Sequence, residues 1–183
     1  AFESDELQSY EGGLKATTGD RRYSADIALY LINWDNMQVG AARNGIGVVA
    51  NAETARSTGA ELTLTALPVP ELTLAGTFAY IDAQLTEDAP DLGGKDGDPL
   101  PDTPEFAFMV SGDYAFDVHE HASTVGAMLR YAGERVSGFD ASAGSPQYHL
   151  PSYMTVDLRG SVAFGPANLR LYVRNLFNER GQL

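Results

Sequence analysis

The sequence predicts an all-β fold, an antiparallel sheet of about eight strands forming the wall of a transmembrane β-barrel. Three observations carry this reading. Successive segments alternate apolar and polar residues with period two, which gives each strand one greasy and one wet face. The connections between them alternate strictly, short at 19–22, 68–71, 117–121 and 165–167, long at 36–52, 86–104 and 136–150. That is the plan of an outer-membrane barrel, with tight turns at one rim and long loops at the other. Helical periodicity is sustained nowhere, and the longest apolar run, Ile27 to Ile32, is far too short for a membrane-spanning helix.

Taken in order, Ser9 to Thr17 reads as the first strand, closed by the turn signal Gly19-Asp20-Arg21-Arg22. Tyr23 to Trp34 follows, with Ile27, Leu29 and Leu31 opposed to Asp26, Ala28 and Tyr30. From about Asn36 to Ala52 the alternation dissolves into a polar, glycine-containing loop. Thr54 to Leu67 sets Ala60, Leu62, Leu64 and Ala66 against Gly59, Glu61, Thr63 and Thr65, and Pro68-Val69-Pro70-Glu71 turns the chain. Leu72 to Leu85 and Glu105 to Phe116 are separated by a long acidic loop. Ala122 to Arg135 opposes Val125, Ala127, Leu129 and Tyr131 to Thr124, Gly126, Met128, Arg130 and Glu134. The stretch Pro151 to Asn178 is a closing hairpin, turned at Gly165-Pro166-Ala167. Its Val156, Leu158, Val162, Leu169, Leu171 and Val173 share one face and its arginines the other.

Dimensions fit a bilayer. Phe106 to Phe116 covers about 33 Å along a strand, and a tilt of about 40° projects this to about 25 Å, the height of a barrel's apolar band. Tyr23, Phe116 and Phe164 lie beside short turns, and Tyr80 and Tyr131 toward long loops, as the two aromatic girdles of such a band require. Eight strands would suffice for a small barrel. Both chain ends, however, fall on the long-loop side, whereas single-chain barrels keep their termini at the other rim. Residues 178–183 moreover read as the start of a loop, so the chain is expected to be a fragment.

Composition narrows the function classes. A net charge of −13 over 183 residues argues against nucleic acid as a partner, which needs a basic footprint. There is no cysteine, hence no disulfide framework and no thiolate metal site. The opening AFESDELQSY lacks the basic start and apolar core of a signal peptide, which suits a mature or internal piece of an exported protein.

An ordered set of short motifs then resembles the C-terminal part of the β-barrel of TonB-dependent outer-membrane receptors, of the siderophore-receptor type. The matching pieces are Tyr10-Glu11-Gly12-Gly13-Leu14-Lys15, Ala28 to Gln38, and Asn51 with Gly59-Ala60-Glu61-Leu62. Gly97 to Pro104 and Val173 to Phe177 with Asn178 complete the set. The resemblance implies a 22-stranded barrel with a plugged lumen, of which residues 1–183 are one barrel piece without the plug domain or the last strand. It also implies a location in the outer membrane of a Gram-negative bacterium and active uptake of ferric siderophores without covalent chemistry. Expected partners are the TonB complex, reached through the absent N-terminal part, the plug domain in the lumen, a ferric chelate and outer-membrane lipid. Cobalamin, haem or oligosaccharide uptake by the same mechanism are alternatives within the class. A soluble Ca²⁺- or sugar-binding β-sandwich and a small passive or enzymatic barrel are the readings of other classes.

Candidate site residues fall into two groups. Arg43, Phe139, Tyr148 and His149 in the long loops are the expected ligand contacts. Glu61, Arg130, Asp157, Arg159, Arg170 and Arg174 are expected on the lumen wall, where they could steer an anion or grip the plug. Opposite charges on neighbouring strands would also pair there for a few tenths of a kcal/mol. The carboxylates of Glu87, Asp88, Asp91, Asp96, Asp98 and Asp102 offer hard oxygen ligands for Ca²⁺, but a solvated acidic loop accounts for them as well. His119 and His121 form an HxH pair with no third ligand nearby. No catalytic residue, metal site or cofactor is therefore assigned.

Overall fold

The computed structural model describes residues 4–43, 46–51, 54–139 and 147–181, with side chains 39–51 outside that description. Its strands are β1 (Glu6–Thr17), β2 (Tyr23–Asp35), β3 (Gln38–Arg43), β4 (Ile46–Asn51), β5 (Thr54–Val69) and β6 (Leu72–Leu85). They continue with β7 (Phe106–Val118), β8 (His121–Ala132), β9 (Arg135–Val136), β10 (His149–Leu150), β11 (Tyr153–Phe164) and β12 (Ala167–Val173). Eight of them form one antiparallel meander in the order β1-β2-β5-β6-β7-β8-β11-β12. β3 with β4 and β9 with β10 make two small sheets within the long connections.

Turn chemistry explains the short connections. His119 and Glu120 have φ of 47° and 66°, the two positive values a two-residue type I′ hairpin needs. Gly165, at φ 56°, opens the β11–β12 turn at no steric cost. The register of β5 against β6 shifts between Ala66 and Val69, and Pro68, which cannot donate to a ladder, sits in that irregularity. The chain therefore turns only at Pro70-Glu71, and β5 runs two residues further than the alternation predicts. In the turn before β2, Arg22 Nε donates to Leu67 O at 2.9 Å and its Nη2 donates to Pro68 O, tying two neighbouring short turns together.

The apolar face of the sheet has nothing packed against it among the described residues, since the elements in contact are ladder neighbours only. Phe106 is 42% exposed and Val110 39%, residues that a sandwich would bury. Aromatic side chains form a row across this face, Phe78 stacked on Phe108 at 5.9 Å and Phe108 on Tyr131 at 5.2 Å. These three stand directly opposite one another in the register. A single sheet with a bare apolar face overturns the sandwich reading. β1 and β12 each have only one neighbour, so the sheet is open at both edges, as a barrel segment should be.

The largest buried cluster lies at the long-connection end. Leu85, fully buried, packs with Met37, Ala55, Ala89, Leu92 and Phe139, and Trp34 and Leu100 pack against them. Leu85, Ala55 and Trp34 share the strand phase of Ala79, Glu61 and Asp26, which is the polar face. The loop after β6 thus folds over the polar side of the sheet. Backbone bonds hold it there: Leu85 N to Asp98 O (2.9 Å), Leu100 N to Ala83 O (2.9 Å) and Asp102 N to Val136 O (2.8 Å).

Candidate functional site

A group of charged side chains on the polar face gathers on β7, β8, β11 and the end of β12. Asp113 on β7 stands opposite Gly126 on β8, which stands opposite Arg159 on β11. Strands two apart are separated by about 10 Å, and the long arginine spans that gap. Arg159 Nε donates to Asp113 Oδ1 at 2.7 Å while Nη2 donates to Oδ2, a bidentate fork. Gly126 makes the bridge possible. A Cβ there would collide with Asp113 Oδ1 and lie 2.9 Å from Gly112 O and 3.0 Å from Arg159 Nε.

One step toward the long-loop end, Arg130 Nη1 donates to Asp157 Oδ2 at 2.8 Å between diagonal neighbours. The other oxygen of Asp157 accepts from the backbone N–H of Asn175 at 2.8 Å. Asn175 has φ 50°, and its side chain closes a turn on itself, Nδ2 donating to Glu179 O and Oδ1 accepting from Glu179 N, both at 2.8 Å. Asp157 therefore binds the wall to the folded segment that follows β12. Thr124 and Ser161 share a hydrogen bond of 2.7 Å on the same face.

Arg170 and Arg174, from β12 and the residue just past it, complete the cluster. Neither has a carboxylate at ion-pair distance among the described residues. Arg174 lies over the Tyr172 ring at 5.2 Å, a cation–π contact. The arginines and aspartates together line a concavity of about 500 Å³. Chemically the arrangement offers forked N–H donors and fixed positive charge to an anion.

Five of the six expected wall residues, Arg130, Asp157, Arg159, Arg170 and Arg174, thus come together at one place. Glu61 stands apart on β5 between Ala28 and Ala79, sharing a neighbouring concavity with Arg130. The expected loop contacts do not converge. Phe139 is 6% exposed and belongs to the buried loop cluster, where it leaves almost no surface to a ligand. Tyr148 is 61% exposed, and His149 begins β10 and is exposed too. Arg43 ends β3, and its side chain lies outside the described residues. The described residues contain no cluster of three or more His, Asp or Glu able to hold a metal ion. Sequence reading missed the roles of Gly126 and Asn175. A glycine in phase with charged neighbours on both adjacent strands was the available signal for the first.

Comparison with known proteins agrees with this architecture. The family model described as "TonB dependent receptor-like, beta-barrel" matches residues 2–176. The metal-pseudopaline receptor CntO of Pseudomonas aeruginosa is 32% identical over 182 residues, covering 98% of this chain and 25% of that protein. Among solved structures, the ferric yersiniabactin uptake receptor FyuA from Yersinia pestis superposes with a TM-score of 0.79 at 22% identity, covering 97% of this chain and 26% of that one. The ferric-catecholate import receptor Fiu from E. coli K12 gives 0.73 at 25% identity, over 97% and 24%. This chain accordingly spans about a quarter of the length of these relatives. TonB-dependent receptors are known as outer-membrane proteins of Gram-negative bacteria, and a plug in the lumen is part of the family architecture. The chain belongs to the TonB-dependent receptor family and forms part of its transmembrane β-barrel.

Proposed function

We propose that the receptor containing this barrel segment sits in the outer membrane of a Gram-negative bacterium and imports a metal chelate of the ferric-siderophore type. Import draws on TonB acting through the part of the receptor that precedes these strands. The observation that carries the reading is the two-faced sheet: a continuous apolar exterior, a charged interior, and long loops folded inward over that interior. Such a wall suits a guarded conduit and has no use as a soluble catalyst. Exposed Tyr148 and His149 are proposed contacts for the chelate, whereas Phe139 packs within the loop cluster. Arg43, in the long connection between β2 and β5, remains a proposed contact.

One observation favours a broader cargo. A relative at 32% identity is named for metal-pseudopaline rather than for iron, so chelates of other metals belong to the proposed substrate class. The test is uptake by cells expressing the full receptor, offered ⁵⁵Fe and ⁶⁵Zn chelates of several metallophores, with and without TonB. Accumulation of at least one chelate only when TonB is present is the expected result. Accumulation independent of TonB, or none with any chelate, would sink the reading.

A further inference from the structure

Tyr148 and His149 belong to the small β9–β10 ladder, which stands apart from the eight-stranded sheet. The ladder keeps the register of β8 against β11, since Ala132 pairs with Tyr153 and Arg135 with Leu150. Between those pairs lie Gly133-Glu134 on one side and Pro151-Ser152 on the other. Pro151 has no N–H to give, and the Gly133 amide donates to Phe106 O on β7 instead, at 2.8 Å. Pairing lapses there, so the wall alone does not fix how the ladder leans. The acidic loop supplies the constraint at two separate points. The Asp102 amide donates to Val136 O at 2.8 Å. The Phe139 ring lies against Gly94, where a Cβ would stand 3.2 Å from its Cγ and Cδ1 and 2.5 Å from Leu85 Cδ1. Gly94 is itself pinned by two backbone bonds with Ala89, of 2.9 and 3.1 Å. A single contact would leave the ladder free to pivot, and a second one removes that freedom. From Phe139 the constraint runs on to Tyr148. The Gln147 side chain donates to Gly138 O at 2.9 Å, the Ser137 amide donates to Tyr148 O, and Ser137 Oγ accepts from the Tyr148 amide, both at 3.0 Å.

We propose that Phe139, seated on Gly94, is a positioning residue for chelate capture, holding the ladder in the orientation in which Tyr148 and His149 meet the metal chelate. The proposal rests on the reading of those two residues as chelate contacts, and it adds the residue that sets their geometry. Phe139 is buried in the loop core and acts through the ladder rather than on the cargo. The physical basis is preorganisation. Contacts already held in place need not be ordered when the chelate arrives, so loosening the ladder lowers affinity.

The test is a double-mutant cycle in the full-length receptor, read by equilibrium binding of the radiolabelled iron and zinc chelates of the uptake assay. Phe139→Ala should weaken chelate binding about tenfold in the otherwise unaltered receptor. In a receptor already carrying Tyr148→Ala and His149→Ala, the same substitution should change the residual affinity by no more than about twofold. Phe139→Leu keeps an apolar side chain on Gly94 and should recover most of the loss. Hydrogen exchange adds a readout that needs no cargo. In Phe139→Ala the Ser137 and Tyr148 amides should exchange severalfold faster, and the Arg21 amide, bonded to Thr18 O at the opposite rim, should not. Equal losses of affinity in both backgrounds would make Phe139 a packing residue alone and overturn the proposal. Faster exchange with unchanged affinity would overturn it as well, as would unchanged exchange. An unaltered receptor that binds none of the chelates would instead bring down the transport reading, an outcome distinct from additive losses in a receptor that binds.

Discussion

At the scale of single residues, the wall depends on one absent side chain. Gly126 lets Asp113 and Arg159 meet across β8, so Gly126→Ala should break the fork and push both groups aside. Its cost should be about 1–3 kcal/mol, the usual penalty of forcing a methyl group into an occupied space. Gly160→Ala provides the control, because its added Cβ meets only Thr124 O at 3.5 Å, an ordinary contact. The temperature at which the full receptor loses its compact band in electrophoresis should fall for the first variant and hold for the second. Asn175 makes a matching case. Asn175→Ala loses both bonds to Glu179 and must hold φ 50° without the local hydrogen bonding that lets asparagine tolerate it. Amide exchange at Glu179 should accelerate by about tenfold, corresponding to roughly 1–2 kcal/mol of local stability. A shift confined to β11, with Glu179 unaffected, would show that the folded segment is held by other contacts.

At the scale of elements, strands were legible where lipid enforces alternation and opaque where it does not. A one-residue slip would turn a whole apolar row toward water and the arginines toward lipid, so β2, β5, β6, β7, β8 and β11 announce themselves in sequence. β3 and β4 fall where the sequence predicts a loop, because Gln38–Arg43 and Ile46–Asn51 mix glycine, alanine and valine with no constant apolar phase. They stand within a long connection, where no apolar environment demands one. The loop core was invisible for a related reason. Leu85 and Phe139 lie far apart in sequence and meet only after the loop folds inward.

The short turn at residues 18–22 shows electrostatics at this scale. The Thr18 hydroxyl, and next the Arg22 amide, hold the exposed Asp20 carboxyl below the usual carboxylate range. A carboxyl whose folded value is depressed stabilises the turn above its unfolded value of about 4 and loses that contribution as pH falls through the folded value. The Arg22 amide resonance of the receptor in nanodiscs should hold steady at neutral pH and move only below pH about 4. In Asp20→Asn the pH-dependent movement should vanish. A transition near pH 6 would instead assign the effect to a histidine.

At the scale of the whole molecule, one asymmetry decides everything: which face of the sheet meets hydrocarbon. A closed sheet in a bilayer satisfies its backbone within itself, so side chains alone report the surroundings. Adjacent residues on β7 can therefore be made to disagree. Val110, opposite Gly76 and Leu129, lies on the apolar face near the middle of its strand, and Ser111, opposite Ala75 and Met128, lies on the charged one. Val110→Arg should cost about 2–4 kcal/mol at the bilayer midplane and lower the yield of assembled receptor. Ser111→Arg, one residue away, places the same side chain in a wet lumen and should assemble close to normally. Both variants add the same charge to the same strand, so net charge cancels from the comparison. The two yields, read by heat-modifiable mobility of the full receptor in isolated outer membranes, should differ severalfold in that order. Equal yields, or the reverse order, would mean that the apolar face is covered by protein rather than lipid, and the barrel reading of the sheet would fail with it.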